Sequence, residues 1–289
     1  MVMKKKLIIG ISLLTFFLSC KSEKKDDSSL ALLALLAASS SSSSTCTSSF
    51  GTVVPDWIKN SFTCVTVSVS GNNYVFKTSS IPTYKSVYWG SSSSLYESSL
   101  YTNTTGTNSA NPNRIISQNV TITVPKDNTT SGAPATGFGA IGVATNGIVI
   151  YNDQAAPGDS LSTEYYTFDT AQGHPTNTGA YHYHVEPPKI TNNDSNLVGI
   201  ALDGYLIFGK KHDSTANSTS GFSLGGASSS TACLVAGKTT EVPTTWSQAS
   251  NYNSLKTTGS ARHYHVNNGS EVNGILLSGK YIGTAGTSI

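Results

Sequence analysis

Three stretches share one frame: Gly142-Val-Ala-Thr-Asn-Gly-Ile-Val-Ile-Tyr151, Gly199-Ile-Ala-Leu-Asp-Gly-Tyr-Leu-Ile-Phe208 and Gly274-Ile-Leu-Leu-Ser-Gly-Lys-Tyr-Ile282. Each is an apolar run, a turn pair and a second apolar run, with Asn146-Gly147, Asp203-Gly204 and Ser278-Gly279 as the pairs. Asn-Gly and Asp-Gly between apolar runs are the strongest short-range hairpin signal, and a type I′ turn with positive φ at both residues is the expected connection. Asp203 is read first as a turn residue.

The surrounding chain agrees. Cys64 to Val69 and Val120 to Val124 alternate with period two, the second run ending at Pro125, and Tyr74-Val-Phe76 follows the turn signal Gly71-Asn72-Asn73. Such runs read as strands with one buried face. The expected fold is all-β: a single β-sandwich-like domain with repeated hairpins, preceded by a disordered N-terminal leader and linker.

The leader carries its own signals. Met1 to Lys6 is basic, Leu7 to Leu18 is an apolar run too short to span a bilayer, and Ser19-Cys20 precedes a polar stretch. Phe17-Leu18-Ser19-Cys20 resembles the looser bacterial lipoprotein lipoboxes of spirochaetes. The organisation expected from this is a signal peptide over 1–19, a lipidated Cys20 and low-complexity linker over 20–49, and the β domain over 50–289. Leu30 to Ala38 cannot cross a membrane either, and the serines Ser39 to Ser44 read as a flexible spacer. The implied location is exported and lipid-anchored to a bacterial membrane, at the outer membrane or cell surface, with acyl chains on Cys20 as the anchor.

Composition narrows the function. Only 12% of the 289 residues are charged, and Ser and Thr make up more than a quarter. Six of the 18 cations and three of the 16 anions lie before Thr45, which leaves 12 against 13 in the body of the chain. Nucleic acid is therefore not an expected partner, since such binding needs a basic stripe. Beyond Cys20, the cysteines Cys46, Cys64 and Cys233 allow one disulfide and one odd thiol, with three pairings open.

The six histidines stand out against this background. Four lie in two triplets, within Ala180-Tyr-His-Tyr-His-Val185 and Ala261-Arg-His-Tyr-His-Val266. On a strand, His182 and His184 share one face and Tyr181 and Tyr183 the other; His263 and His265 share a face in the same way. Each triplet precedes one of the hairpins, so the repeating unit reads as triplet, loop, hairpin. If the two triplet strands pair or face each other, three or four imidazoles surround one point, a set that suits copper or zinc. His174, in Gly173-His174-Pro175, is the fifth candidate ligand; His212, after two lysines, reads as solvated. Tyr181, Tyr183, Tyr264 and Asp203 are candidates to stand behind the ligands and orient them. Glu186 follows His184 too closely for a cupin-type His-x-His and Glu set. No nucleophile elbow or phosphate loop is present. The sparse acids Asp153, Asp159, Glu164 and Asp169 read as loop residues without a carboxylate pair.

With Gly173-His174-Pro175, Gly179-Ala-Tyr-His-Tyr-His184 and Val198-Gly-Ile-Ala-Leu-Asp-Gly204 on the page, the chain resembles the YHYH-domain proteins. Asn111-Pro-Asn113, Ser117-Gln-Asn119 and Val124-Pro125 extend the likeness over Cys64 to Gly283, with Arg262 replacing the leading Tyr in the second triplet. The resemblance implies exported proteins and supplies no reaction. The functional expectation is a membrane-anchored lipoprotein, periplasmic or on the cell surface, with a transition-metal-binding β domain. Its alternatives are a surface interaction or structural envelope protein without metal, and a metal-dependent oxidoreductase.

Overall fold

The computed structural model describes residues 46–101, 107–126, 134–156, 159–190, 197–209, 211–212, 216–217, 263–266, 276, 279–281 and 283–289. The leader, Cys20 and Cys233 lie outside them. Fourteen strands are present among the described residues, with two short helices and a 3₁₀ turn.

A five-stranded sheet joins β1 (Ser49–Phe50), β2 (Thr66–Ser70), β3 (Asn73–Thr78), β4 (Val120–Pro125) and β14 (Thr287–Ser288) in that spatial order. Its core is a β2–β3–β4 meander in antiparallel register, from Thr66↔Lys77 to Ser70↔Asn73 and from Asn73↔Pro125 to Thr78↔Val120. Alternation does what period two predicts: Val67, Tyr74, Phe76, Ile122 and Val124 are buried, while Thr66, Ser68 and Lys77 are exposed. Helix α1 (Asp56–Ser61) buries Trp57 and Ile58.

A seven-stranded sheet carries the histidines. It comprises β5 (Gly142–Ala144), β6 (Val149–Ile150), β7 (Gly173–Pro175), β8 (Tyr181–Tyr183), β9 (Leu197–Ala201), β10 (Leu206–Phe208) and β13 (His263–His265). Their spatial order is β13-β10-β9-β5-β6-β8-β7. A two-stranded ribbon of β11 (Lys211–His212) and β12 (Ala216–Asn217) completes the set. Strands β5, β6 and β8 to β10 are buried at every position, which explains why the hairpin runs are continuously apolar rather than alternating. One hydrophobic cluster draws on both large sheets, uniting Val67, Phe76 and Ile122 with Val143, Ile150, Ile200 and Phe208.

Two expected hairpins are present as β5–β6 and β9–β10; the third lies largely outside the described residues. Their turns differ from the expected type I′. In each pair only the glycine has positive φ, +80° at Gly147 and +79° at Gly204. Gly147 N donates to Ala144 O and Ala144 N to Ile148 O; Gly204 N and Ala201 N repeat this with Ala201 O and Tyr205 O. These are three-residue loops, a turn closed by a glycine bulge. The Asn146 and Asp203 side chains accept from Ile148 N and Tyr205 N, so the carboxamide and carboxylate hold the turn while the glycine alone is left-handed.

The repeat also has a different phase from the one read in the sequence. Each hairpin is followed, not preceded, by the triplet strand that pairs with it. Strand β8 lies parallel to β6 with Val149↔His182 and Ile150↔Tyr183. Strand β13 lies parallel to β10 with Leu206↔His263 and Ile207↔Tyr264. The inner strands β5 and β9 pair antiparallel through Val143↔Ile200, so two equivalent three-strand units meet about a local two-fold. The turn contacts repeat as well: Asn146 Nδ2 donates to Tyr183 Oη at 3.0 Å, and Tyr264 Oη donates to Asp203 Oδ2 at 2.5 Å.

Among the three pairings open to the remaining cysteines, Cys46 bonds to Cys64, with Cα atoms 4.9 Å apart. This ties the start of the described chain to the strand β2 edge.

Candidate metal centre

Strand β8 sorts its side chains by face. Tyr181 and Tyr183 enter the core, while His182 and His184 line a cavity on the other side. Strand β7 pairs antiparallel with β8 and sets His174 directly opposite His182. The glycine before His174 is required by packing, because a Cβ on Gly173 would collide with the Tyr181 ring. The three imidazoles are all buried, and one nitrogen from each lies within 4.8 Å of the others.

Hydrogen bonds on the far side of each ring decide which nitrogen faces inward. His182 Nδ1 is 2.9 Å from Ala180 O, and His184 Nδ1 is 2.5 Å from Asn152 O. A carbonyl can only accept, so both Nδ1 atoms carry the proton. His174 Nδ1 is 2.8 Å from Thr167 Oγ1, whose own hydrogen goes to Glu164 O at 2.7 Å. The hydroxyl therefore accepts, and His174 Nδ1 donates too. In the neutral state all three Nε2 atoms are bare.

The neutral state is the one the surroundings favour. Burial holds the His184 imidazole down to about 4, and burial followed by neighbouring imidazoles holds His174 and His182 well below the ordinary value. Two bare nitrogens, His182 Nε2 and His184 Nε2, then face each other at 3.0 Å. His174 Nε2 is buried without a hydrogen-bond partner. Lone pairs held this close repel unless a cation lies between them. The arrangement is a preformed set of three neutral imidazole donors, each oriented from behind as metal-ligating histidines are.

The cavity beside them has a volume of about 530 Å³. Tyr151 stacks on His182 at 3.9 Å between ring centroids, and Phe168 lies parallel to His184 at 5.9 Å. Asn113, Gln154, Asn177 and Glu164 add polar groups to the lining, which holds no Lys or Arg among the described residues.

Of the five expected ligands, the structure brings together His174, His182 and His184. It does not pair the two triplet strands: β10, β9, β5 and β6 stand between β13 and β8. At about 4.8 Å per strand that separation is about 24 Å along the sheet. Each triplet instead pairs with its own hairpin, because the local two-fold places the units back to back through β5 and β9. The side chains of His263 and His265 lie outside the described residues. Tyr264 and Asp203 belong to this second unit, where the buried Asp203 carboxylate also accepts from Gly283 N at 3.0 Å. They stand behind β13 and not behind the three clustered imidazoles.

Tyr181 and Tyr183 lie on the core face of β8, opposite His182 and His184, and their hydroxyls bond to other groups than the imidazoles. Tyr84 Oη bridges them, and Tyr181 Oη donates to Asp169 Oδ2 at 2.8 Å. From the sequence, Asp169 reads as a loop acid. It is fully buried and also accepts from Ser86 Oγ, Ala171 N and Gly173 N, so it fastens the strand bearing His174 to the strand bearing His182. Its spacing to Gly173 was visible, but nothing in the pattern distinguished a buried acceptor from a solvated acid. Thr167 and the carbonyls of Ala180 and Asn152 were equally hidden, since backbone acceptors leave no residue-type signal.

The family model described as YHYH protein matches residues 119–283, which contain all three clustered histidines. The chain belongs to this family. The match starts at Asn119, later than the likeness from Cys64 read in the sequence. No curated protein and no solved structure matches the chain.

Nitrogen-detected NMR of the imidazoles in the metal-free protein at pH 6 is expected to show His174, His182 and His184 neutral, with the proton on Nδ1. An imidazolium or an Nε2–H signal at any of the three would contradict the assigned orientation.

Proposed function

We propose that this chain is an exported, lipid-anchored protein whose β domain binds a transition metal, copper or zinc, through His174, His182 and His184. The observation that carries the reading is the convergence of three bare, buried Nε2 atoms on the wall of one cavity. Nitrogen ligands at 2.0–2.1 Å around a tetrahedral ion sit about 3.3 Å apart, close to the 3.0 Å between His182 Nε2 and His184 Nε2. Purely imidazole donors suit both zinc and copper.

Three protein ligands facing a cavity leave room at the ion for a further group, the arrangement of catalytic rather than closed structural sites. That room favours a metal-dependent oxidoreductase or another metal-assisted enzyme as the second reading. A surface interaction or structural envelope role without metal is the contrasting account, and it leaves the facing lone pairs unexplained.

Export and anchoring rest on the leader and Cys20, which lie outside the described residues. The Cys46–Cys64 disulfide supports an oxidising compartment.

Metal analysis of the full-length chain, purified in detergent and reconstituted with zinc or copper, is expected to give about one equivalent. His182→Ala and His184→Ala are each expected to reduce it to below about 0.2 while secondary structure is kept. Wild-type protein that retains less than 0.2 equivalents of any metal would overturn the metal reading. For the anchor, Cys20→Ser is expected to move the protein from the membrane fraction to the soluble exported fraction and to abolish labelling by a radioactive fatty acid. Unchanged fractionation and labelling would remove Cys20 as the attachment point.

A further inference from the structure

One carboxylate stands at the edge of the histidine cluster. Glu164 ends helix α2 (Leu161–Glu164), and the 3₁₀ turn Tyr165–Thr167 follows it directly. This segment meets both nitrogens of His174, holding one and facing the other. Its last residue, Thr167, accepts the Nδ1 proton while anchored to the Glu164 carbonyl. The residue that caps it, Glu164, places a carboxylate oxygen, Oε2, 3.7 Å from His174 Nε2.

That spacing is too long for a hydrogen bond and close to the separation of two ligands on one ion. His174 Nε2 has no other hydrogen-bond partner, although it is buried. The Glu164 side chain keeps 26% of its surface exposed, on the cavity side, which leaves it the rotamer freedom to close on an ion. Among the described residues, no Lys or Arg of the lining stands against its charge. Burial and the nearby Asp159 push its carboxyl above the usual range.

We infer that Glu164 is the fourth protein ligand of the metal centre, giving a three-histidine, one-carboxylate set drawn from α2, β7 and β8. This rests on the metal reading proposed above and extends it. A carboxylate donor contributes one negative charge and a hard oxygen, which weights the choice toward a divalent ion over copper(I).

Cobalt(II) and zinc titrations of the metal-free full-length chain separate the outcomes. The wild type is expected to bind one cobalt ion with a visible ligand-field spectrum. Glu164→Gln and Glu164→Ala are expected to weaken zinc binding about ten-fold or more and to change the cobalt band positions and intensity. Glu164→Asp, which keeps the carboxylate, is expected to recover part of the affinity. Thermal unfolding of the metal-free proteins is the control, and it should differ little among these variants because the side chain is part exposed. Equal zinc affinity and superimposable cobalt spectra in wild type and Glu164→Gln would remove Glu164 from the ligand set while leaving the three histidines. A wild type that binds neither ion would instead overturn the metal reading itself.

Discussion

The contact on which the site depends is a repulsive one, two imidazole nitrogens held 3.0 Å apart by acceptors on the far side of their rings. Ala180 O and Asn152 O each fix a proton on Nδ1, and burial removes the option of relieving the repulsion by protonating the rings. Such a contact survives only when the surrounding fold determines it. Here β7, β8 and the loop at Asn152 are locked by Asp169, Tyr181 and the β6–β8 pairing. A cation turns the same geometry from a strain into a bond.

The seven-stranded sheet explains why one triplet forms a cluster. Its two units are equivalent strand by strand, down to the Asn146–Tyr183 and Asp203–Tyr264 contacts that tie each turn to its triplet. Only the first unit has an outer strand, β7, among the described residues, and β7 supplies His174. The duplication supplies the scaffold, and the added strand with its preceding 3₁₀ turn supplies the third imidazole and its supports.

Much of this was legible from residue patterns. Period two separated Tyr181 and Tyr183 from His182 and His184, and the turn pairs located both described hairpins. What the pattern could not convey was which copies meet. Strand pairing between distant segments is decided by the whole sheet, and parallel pairing of each triplet with its own hairpin leaves no local mark. The turn type departs from the expected one for a similar reason: Asn146 and Asp203 hold their turns through side-chain hydrogen bonds rather than by taking positive φ. Glu164 and Asp169 carry no local mark either, since Asp169 is a buried acceptor only once β7 and β8 present Gly173 N and Tyr181 Oη to it, and Glu164 nears His174 only through the fold.

The most direct test is anomalous scattering at the metal edge from crystals of the zinc- or copper-loaded protein. The account predicts a single strong peak about 2.0–2.1 Å from Nε2 of His174, His182 and His184. Loaded crystals with no peak between these three nitrogens, or with the rings turned so that Nδ1 faces inward, would contradict it.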